Sequence, residues 1–507
     1  MKRILRFLSL ALIFSGSLFS QTVYFNKQYN PLNTWGAGLS IQQDSTGYNV
    51  IMIGGDSMAV NRNVVSFLKV DPLGSIQIQS TIQNDSIAYF CGDFGSLSIA
   101  NDGYILGGSQ NPVGPIQGMG ILVRYNLYGD TLWLKTFYDT TYSEYLIFSQ
   151  AKQTADGGFV AIGETRGNGT YATQFILIKT DSNGNEMWRK TYGMNNKMNR
   201  GTNILILPDG GFLLGGNTYS ATLQDSKNGM VIKTDSLGNE IWRKLVGGFF
   251  NDGEARLGIA KDGNYIIGQD YAEWNHQGIP IGRLNIVKTD TSGSTIWQKK
   301  YGIPKILYTC SSVKVLEDGN IVAIGNSGNT DTGSTKRPGW IMKISNDGDS
   351  LWFREIEKYH PWGYEHNPYD FGQTPDGGFV VCGKVMDVYN GTFDDMWLVK
   401  LDSLGCDTPG CQYNSIDDKV LSMVRLKLFP NPSKEYFIIE YTMDKPNLPG
   451  ALIEIRTIDG RLVKTIEVKG PQNQIIINTN PFARGMYLCL LKQGTNTLAV
   501  QKIVIEK

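Results

Sequence analysis

Histidine is scarce, with three among 507 residues, and neither sign of charge is in excess: 47 Lys+Arg stand against 47 Asp+Glu, a formal net charge of zero. That balance excludes the electrostatic route to nucleic acid or to anionic membrane surfaces, both of which need a basic surplus. Charged residues amount to 19%, below the roughly 25% of an average soluble domain. No Ser stands in a G-x-S-x-G elbow, so a nucleophilic triad has no anchor. The six Cys and three His show no metal-ligand spacing, and neither a metal nor a cofactor is expected. Beyond residue 20 no stretch approaches the ~18 consecutive apolar residues of a membrane helix. The chain still holds 41% apolar residues, enough for a substantial core.

The one long apolar run is N-terminal. Lys2 and Arg3 precede Ile4 through Phe19, the pattern of a secretory signal peptide over residues 1–20, with cleavage near Ser20 and a mature start at Gln21. No Cys follows it, which argues against a lipoprotein. Export permits disulfides. Cys406 and Cys411 bracket Asp-Thr-Pro-Gly, a turn able to bring them into bonding range, and this pair is expected to be bridged. Cys91, Cys310, Cys382 and Cys489 stand among apolar residues and read as small buried hydrophobes.

Glycine is abundant, with 59 residues, and its placement reveals a repeat. TDSNGNEMWRKTYG from Thr180, TDSLGNEIWRKLVG from Thr234 and TDTSGSTIWQKKYG from Thr289 are copies of one another, with weaker copies from Asp71, Asn126, Ser345 and Asp402. The turn glycines Gly74, Gly129, Gly184, Gly238, Gly293, Gly348 and Gly405 are spaced by 55, 55, 54, 55, 55 and 57 residues. A second glycine, usually after Asp, precedes an apolar run in each repeat: Gly47, Gly103, Gly157, Gly210, Gly263, Gly319 and Gly377. Asp-Gly between apolar runs signals a hairpin, here expected to be of the primed type. Each repeat therefore reads as four antiparallel strands, and the fold predicted for residues 21–405 is an all-β, seven-bladed β-propeller. The seventh repeat ends at Cys406 without a fourth strand. Residues 22–30, TVYFNKQYN, match the missing strand, so an N-terminal strand is expected to close the last blade and remove an open edge.

Trp133, Trp188, Trp242, Trp297 and Trp352 each fall four residues after a turn glycine. An indole buries a large area between sheets, and these five are expected to pack between blades. The D-x-x-G-x-x-x-W pattern resembles the tryptophan-docking motif of quinoprotein propellers. Those enzymes resemble eight-bladed rings with a vicinal disulfide and a calcium site, and no adjacent Cys pair occurs here, so a quinone is not expected.

After a polar linker, residues 406–423, the pattern changes. Alternating strands with Asp-Gly and Ala-Arg-Gly turns over residues 424–507 indicate a small β-sandwich. Pro430, Asn431 and Pro432 enter its first strand, Asp459, Gly460 and Arg461 make a hairpin, Gly485 and Tyr487 open a later strand, and Lys502-Ile503-Val504 lie near the end. In this order the residues resemble the type A sorting domain of the type IX secretion system of Bacteroidetes. The resemblance covers residues 424–507 and implies recognition by an outer-membrane translocon and its sorting machinery, with the protein secreted or fixed to the cell surface.

In an up-and-down blade the two tight turns share one face, and the long connections share the other, where binding residues usually sit. Those connections hold His276, His360 and His366, together with aromatic residues that include Tyr138, Tyr145, Tyr192, Tyr271, Trp274, Tyr359, Trp362, Tyr364 and Tyr369. The candidate ligand-binding set is Tyr145, Tyr271, Trp274, His276, His360, Trp362, Tyr364 and His366, since aromatic faces beside polar groups suit sugar rings or peptides. The same connections carry Glu144, Asp252, Glu254, Glu273, Glu365 and Asp370. A facing pair of these would suit glycoside cleavage, but no signature selects a pair, and no catalytic residue is assigned. The expected function is a monomeric, non-catalytic surface module for a glycan or protein ligand. The alternatives are a secreted carbohydrate-active enzyme and a structural surface component.

Overall fold

The structure is a computed structural model. It describes residues 23–55, 63–112, 118–138, 145–166, 172–220, 227–248, 252–274, 280–302, 306–329, 337–359, 364–387, 394–408, 411, 424–443, 450–458, 460–468, 470, 472–493 and 496–506. The expected leader lies outside these residues. Among them the protein is all-β with no α-helix, and it divides into two compact bodies, one ending at Asp407 and one beginning at Thr408.

In the first body the strands follow the chain's turn chemistry. The Thr154 N–H donates to Gly158 O at 2.9 Å and the Gly157 N–H to Thr154 O at 2.9 Å, with Gly157 at φ +82°. Only the glycine adopts positive φ, so this Asp-Gly hairpin is a type I turn followed by a left-handed glycine and not the expected primed turn, which needs positive φ at its first central position. The D-x-x-G turns are built alike: Asp181 Oδ1 accepts from the N–H groups of Asn183 and Asn185, and Gly184 has φ +78°. The side chain stands in for a backbone acceptor, which is why these turns start with Asp, Asn or, at Ser345, Ser.

Between such turns, Tyr145–Gln153, Phe159–Arg166, Thr173–Thr180 and Glu186–Tyr192 pair antiparallel in sequence order. The second and third of these are buried along almost their whole length, whereas the fourth is largely exposed. Strands covered on both faces read as continuous apolar runs, as FVAIG and FILI do. Gly36–Asp44, Gly47–Gly55, Asn63–Val70 and Ile76–Ile82 form another such sheet. Tyr364–Gln373, Phe379–Asp387 and Asp395–Leu401 form a further one, whose fourth strand is Phe25–Tyr29, antiparallel to Asp395–Leu401 with Phe25 opposite Lys400.

Hydrophobic clusters join consecutive sheets. Phe148, Phe159 and Ile176 bury against Ile105 and Leu122 of the preceding sheet, while Val160 and Leu177 on the opposite face bury against Ile204 and Leu214 of the next. The last sheet also packs on the first: Val380, Cys382, Met396 and Leu398 share a cluster with Val50, Met52 and Leu68.

The repeated tryptophans meet the turn glycines of the following sheet. A Cβ on Gly184 would lie 2.9 Å from the Trp133 ring and one on Gly238 2.9 Å from the Trp188 ring. Trp242 faces Gly293, Trp297 faces Gly348 and Trp352 faces Gly405 in the same way. Trp242 Nε1 donates to Thr291 O at 3.2 Å. In Phe25–Tyr29 the corresponding position is Phe25, which faces Gly74. Tyr192, expected on a displayed connection, is instead buried, its hydroxyl donating to Gly238 O at 2.6 Å. Tyr29 and Tyr301 make the same bond to Gly74 O and Gly348 O.

In the second body, Val424–Phe429, Tyr436–Met443 and Gln472–Asn478 form one sheet, and Ala451–Thr457, Leu462–Glu467, Gly485–Gln493 and Asn496–Ile505 another. Both sheets contribute to a single buried cluster that includes Phe437, Ile453, Ile477, Tyr487, Cys489 and Ile503.

Candidate functional site

The first strands of several sheets in the first body carry a recurring irregularity. Register shifts occur between Phe148 and Gln150, Gly38 and Ser40, Gly201 and Asn203, and Pro368 and Asp370. A bulge inserts one residue and re-aims the side chains around it. The partner strand answers with glycine, because a Cβ on Gly163 would lie 1.8 Å from Ile147 O and one on Gly383 2.0 Å from Asn367 O. This accounts for the glycine in AIGE and VCGK.

The bulges deliver polar groups that bind the neighbouring sheet. The Leu97 N–H donates to Ser40 Oγ at 3.1 Å, and the Ile204 N–H donates to Gln150 Oε1 at 2.8 Å. Asn203 Nδ2 donates to Ala255 O at 2.7 Å; Asp270, on the regular strand Tyr265–Trp274, makes a like contact without a bulge, its Oδ1 accepting from the Cys310 N–H at 2.7 Å. Lys314 Nζ lies 2.7 Å from Asp370 Oδ1, and the Ile41 N–H donates to Asp370 Oδ2 at 3.0 Å.

A cluster of charge adjoins these strands. Arg200 sits 2.9 Å from Asp93 Oδ2 and 3.4 Å from Glu254 Oε1, and Arg256 donates to Glu254 Oε2 at 2.8 Å. Burial pushes the Asp93 carboxyl up, with the positive charge of Arg200 opposing. Burial would raise Glu254 too, but Arg256, Arg200 and Lys227 outweigh it and hold that carboxyl down. Phe94 stacks on Tyr369 with ring centroids 4.3 Å apart, and the Arg256 guanidinium lies 5.3 Å from the Phe94 centroid.

The residues expected at the binding face meet different fates. His366 is not displayed: it is 2% exposed and edge-on to Trp397, with centroids 5.5 Å apart, because the strand Tyr364–Gln373 turns it into the core between sheets. Tyr145 is half-buried, its hydroxyl donating to Glu164 Oε1 at 3.0 Å and its ring beneath Arg166. The Tyr271 face is covered by Lys300 Nζ at 3.6 Å from the centroid. Trp274 ends the strand Tyr265–Trp274; its side chain, and His276, His360 and Trp362, lie outside the described residues. Tyr364 packs against Tyr359 with centroids 4.9 Å apart, and Tyr359 is 38% exposed. Beside this pair, Lys27, Gln28, Asn30, Lys358, Tyr359 and Asp395 line an open hollow of about 450 Å³.

The carboxylates of the same region are engaged. Asp252 accepts from the Gly248 and Ala272 N–H groups at 2.5 and 2.8 Å. Glu273 meets Arg283 and Lys300 at 3.4 and 3.1 Å, and Glu365 meets Arg337 at 3.1 Å. Glu144 lies outside the described residues. The charged residues that sequence reasoning passed over, Asp93, Arg200, Arg256, Lys152 and Lys314, sit on or beside the first strands of their sheets. The readable signal was a charge breaking an apolar strand, as in QAKQ and SVKV.

Cys406 and Cys411 are disulfide-bonded, and Cys91, Cys310, Cys382 and Cys489 are free and buried.

In the second body, Asn431 clamps the final strand: its Nδ2 donates to Lys502 O at 2.8 Å and its Oδ1 accepts from the Val504 N–H at 3.0 Å. Pro430 and Pro432 flank it. Gly460 takes φ +88° in a turn where the Thr457 N–H donates to Arg461 O, and Asp459 lies outside the described residues. Tyr487 packs edge-on to Phe482, its hydroxyl donating to Ala483 O at 2.9 Å, and Gly485 has φ +153°.

This fold and tail define an all-β protein with a C-terminal export module: residues 427–506 match the secretion system C-terminal sorting domain. The chain is a type IX secretion cargo protein, secreted or attached at the cell surface. Among the described residues no helix is long and apolar enough to cross a membrane. No curated protein matches the sequence. Among solved structures, similarity extends to a puromycin hydrolase mutant complexed with PGG, at 10% identity and TM-score 0.44, covering 80% of this chain and 58% of that one. It extends also to an alpha-L-arabinanase of Penicillium chrysogenum complexed with arabinobiose, at 11% identity and TM-score 0.40, covering 75% and 97%. An alpha-L-arabinofuranosidase of Fusarium graminearum with an iminosugar inhibitor is similar at 9% identity and TM-score 0.40, covering 76% and 98%.

Proposed function

We propose that the first body is a seven-bladed β-propeller closed by Phe25–Tyr29, exported behind a β-sandwich sorting module and acting outside the cell as a non-catalytic binding module for a glycan or protein ligand. Closure is supported by the cluster that joins Val380 and Leu398 to Val50 and Leu68, and by Phe25 standing on Gly74 as each tryptophan stands on its own glycine. In this reading Trp133, Trp188, Trp242, Trp297 and Trp352 are interblade struts.

The observation that carries binding over cleavage is the state of the carboxylates. Glycoside cleavage needs an acid and a base or nucleophile roughly 5 to 9.5 Å apart with the sugar between them. Asp252, Glu254, Glu273, Glu365 and Asp370 are each held by a cation or backbone N–H. The Tyr359–Tyr364 pair beside Gln28, Asn30 and Asp395 supplies an apolar face next to hydrogen-bonding groups, which suits a sugar ring or an extended peptide.

Glycan and peptide array binding with residues 21–423, alongside polysaccharide hydrolysis assays, tests the proposal. The expected result is saturable binding that weakens at least tenfold in Tyr359→Ala, with no product release. Hydrolysis abolished by Glu254→Gln would replace the binding module with an enzyme.

A further inference from the structure

The first body contains a cavity of about 210 Å³ between strands of several sheets, lined by Lys152, Arg256, Lys314, Ser98, Ser311 and Asp370 among others. Three cations border it against one carboxylate. Lys314 is matched by Asp370 at 2.7 Å, and Arg256 is matched on one terminal nitrogen by Glu254 at 2.8 Å. The balance is incomplete in two respects. Arg256 is only 7% exposed, yet its Nε and its other terminal nitrogen donate to no group among the described residues. Lys152 has no hydrogen-bond or ion-pair partner among them either. Burial, and then the charge of Lys314, push the Lys152 ammonium down to about 8, with Asp370 countering in part.

Buried donors are normally satisfied, and exceptions require an explanation. A guanidinium with N–H groups left unpaired offers charge-assisted donors to an oxyanion, and an unpaired ammonium nearby adds point charge. Ser98 and Ser311, each 8% exposed, also line the cavity. We propose that this cavity is a binding site for one small oxyanion, a phosphate, a sulfate or a small carboxylate, held by Lys152, Arg256 and Lys314. The site is separate from the Tyr359–Tyr364 surface and does not depend on what that surface binds.

Isothermal titration of the full chain with inorganic phosphate, sulfate and citrate, at ionic strength held constant with chloride, distinguishes the sources. At least one is expected to bind at one site per chain, and Lys152→Met is expected to weaken it tenfold or more while Lys152→Arg stays within a few-fold. Lys152 has no partner among the described residues, so Lys152→Met is expected to melt at or above the parent temperature; Lys152→Gln serves as a second variant. Because the anion favours the charged ammonium facing Lys314, Asp370 and Arg256, binding above pH 8 is expected to take up a proton, visible as a heat that depends on buffer ionisation. Absence of saturable binding by all three anions, or unchanged affinity in Lys152→Met and Lys152→Gln, would overturn the proposal.

Discussion

The backbone N–H of Ile41 donates to Asp370 Oδ2 at 3.0 Å although 329 residues separate the two in the chain. Asp370 is fully buried and also receives Lys314, whose side chain is 37% exposed. Asp370→Ala leaves that N–H unpaired and the lysine without its counter-charge. A loss of about 3 kcal/mol is expected, at the low end for a broken buried pair because water reaches Lys314. Asp370→Asn keeps an acceptor and should lose less. Denaturant unfolding of the two variants checks the order.

Removing residues 23–30 strips the fourth strand from Asp395–Leu401 and uncovers Val380 and Leu398. Scanning calorimetry should show the first body melting well below the parent, and light scattering should show association through the open edge. An unchanged melting temperature would refute closure by this strand.

Gly238 has φ +76° and its missing Cβ would meet the Trp188 ring at 2.9 Å, whereas Gly263 has φ +80° and open space around it. Ala at either site bears the left-handed backbone cost of about 1 kcal/mol. Gly238→Ala should lose a further ~1–2 kcal/mol from overlap with the indole. Equal losses would mean that the ring is not held against the turn.

A buried or half-buried lysine on the third strand of most repeats meets the Asp of the preceding Asp-Gly turn: Lys179 with Asp156 at 2.8 Å, Lys343 with Asp318 at 2.8 Å, and Lys400 with Asp376 at 2.9 Å. Burial alone would raise the Asp156 and Asp318 carboxyls, but hydrogen bonds from the lysine and the turn outweigh it and hold both at about 2. A folded value below the unfolded ~3.9 means stability present above pH 4 and lost as pH falls towards 2. The melting temperature should drop across that window. At neutral pH Asp376→Ala strands Lys400, whose side chain is 3% exposed, at a cost of about 3 kcal/mol. Asp209→Ala is the matched comparison, since Lys233 reaches Thr291 O at 3.4 Å instead; it should cost less.

Deleting residues 424–507 should leave the first body folded and trapped in the periplasm, as followed by fractionation and surface proteolysis. Within the module, Asn431→Ala frees both the Lys502 carbonyl and the Val504 N–H and should lower surface delivery. Normal delivery of the truncated protein would contradict the sorting role.

Much of this was legible because it is local. A Gly at positive φ after Asp, a charge-free apolar run and a tail of ordered motifs are properties of a few adjacent residues, so strand order, turn positions and the export module could be read directly. The turn type was misjudged because Asp-Gly serves both primed hairpins and type I turns with a left-handed glycine. Tyr192 and His366 were misplaced for a different reason: a residue beside a connection reads as displayed, yet both rings fold back into an interface between sheets.

The amino-acid sequence by itself determined the all-β class, the 55-residue rhythm and the route out of the cell, since each rests on short-range backbone preference or a contiguous motif. Only the tertiary structure decided which charges meet. Asp93 and Arg200 come from two repeats other than the one that holds Glu254 and Arg256, Lys152, Lys314 and Asp370 come from three different repeats, and bulges in the first strands of several sheets set where their neighbours point. A one-residue shift reverses the face that a strand side chain occupies, and the carboxylates that meet Arg200 and Lys314 lie about a full repeat or more away in the chain.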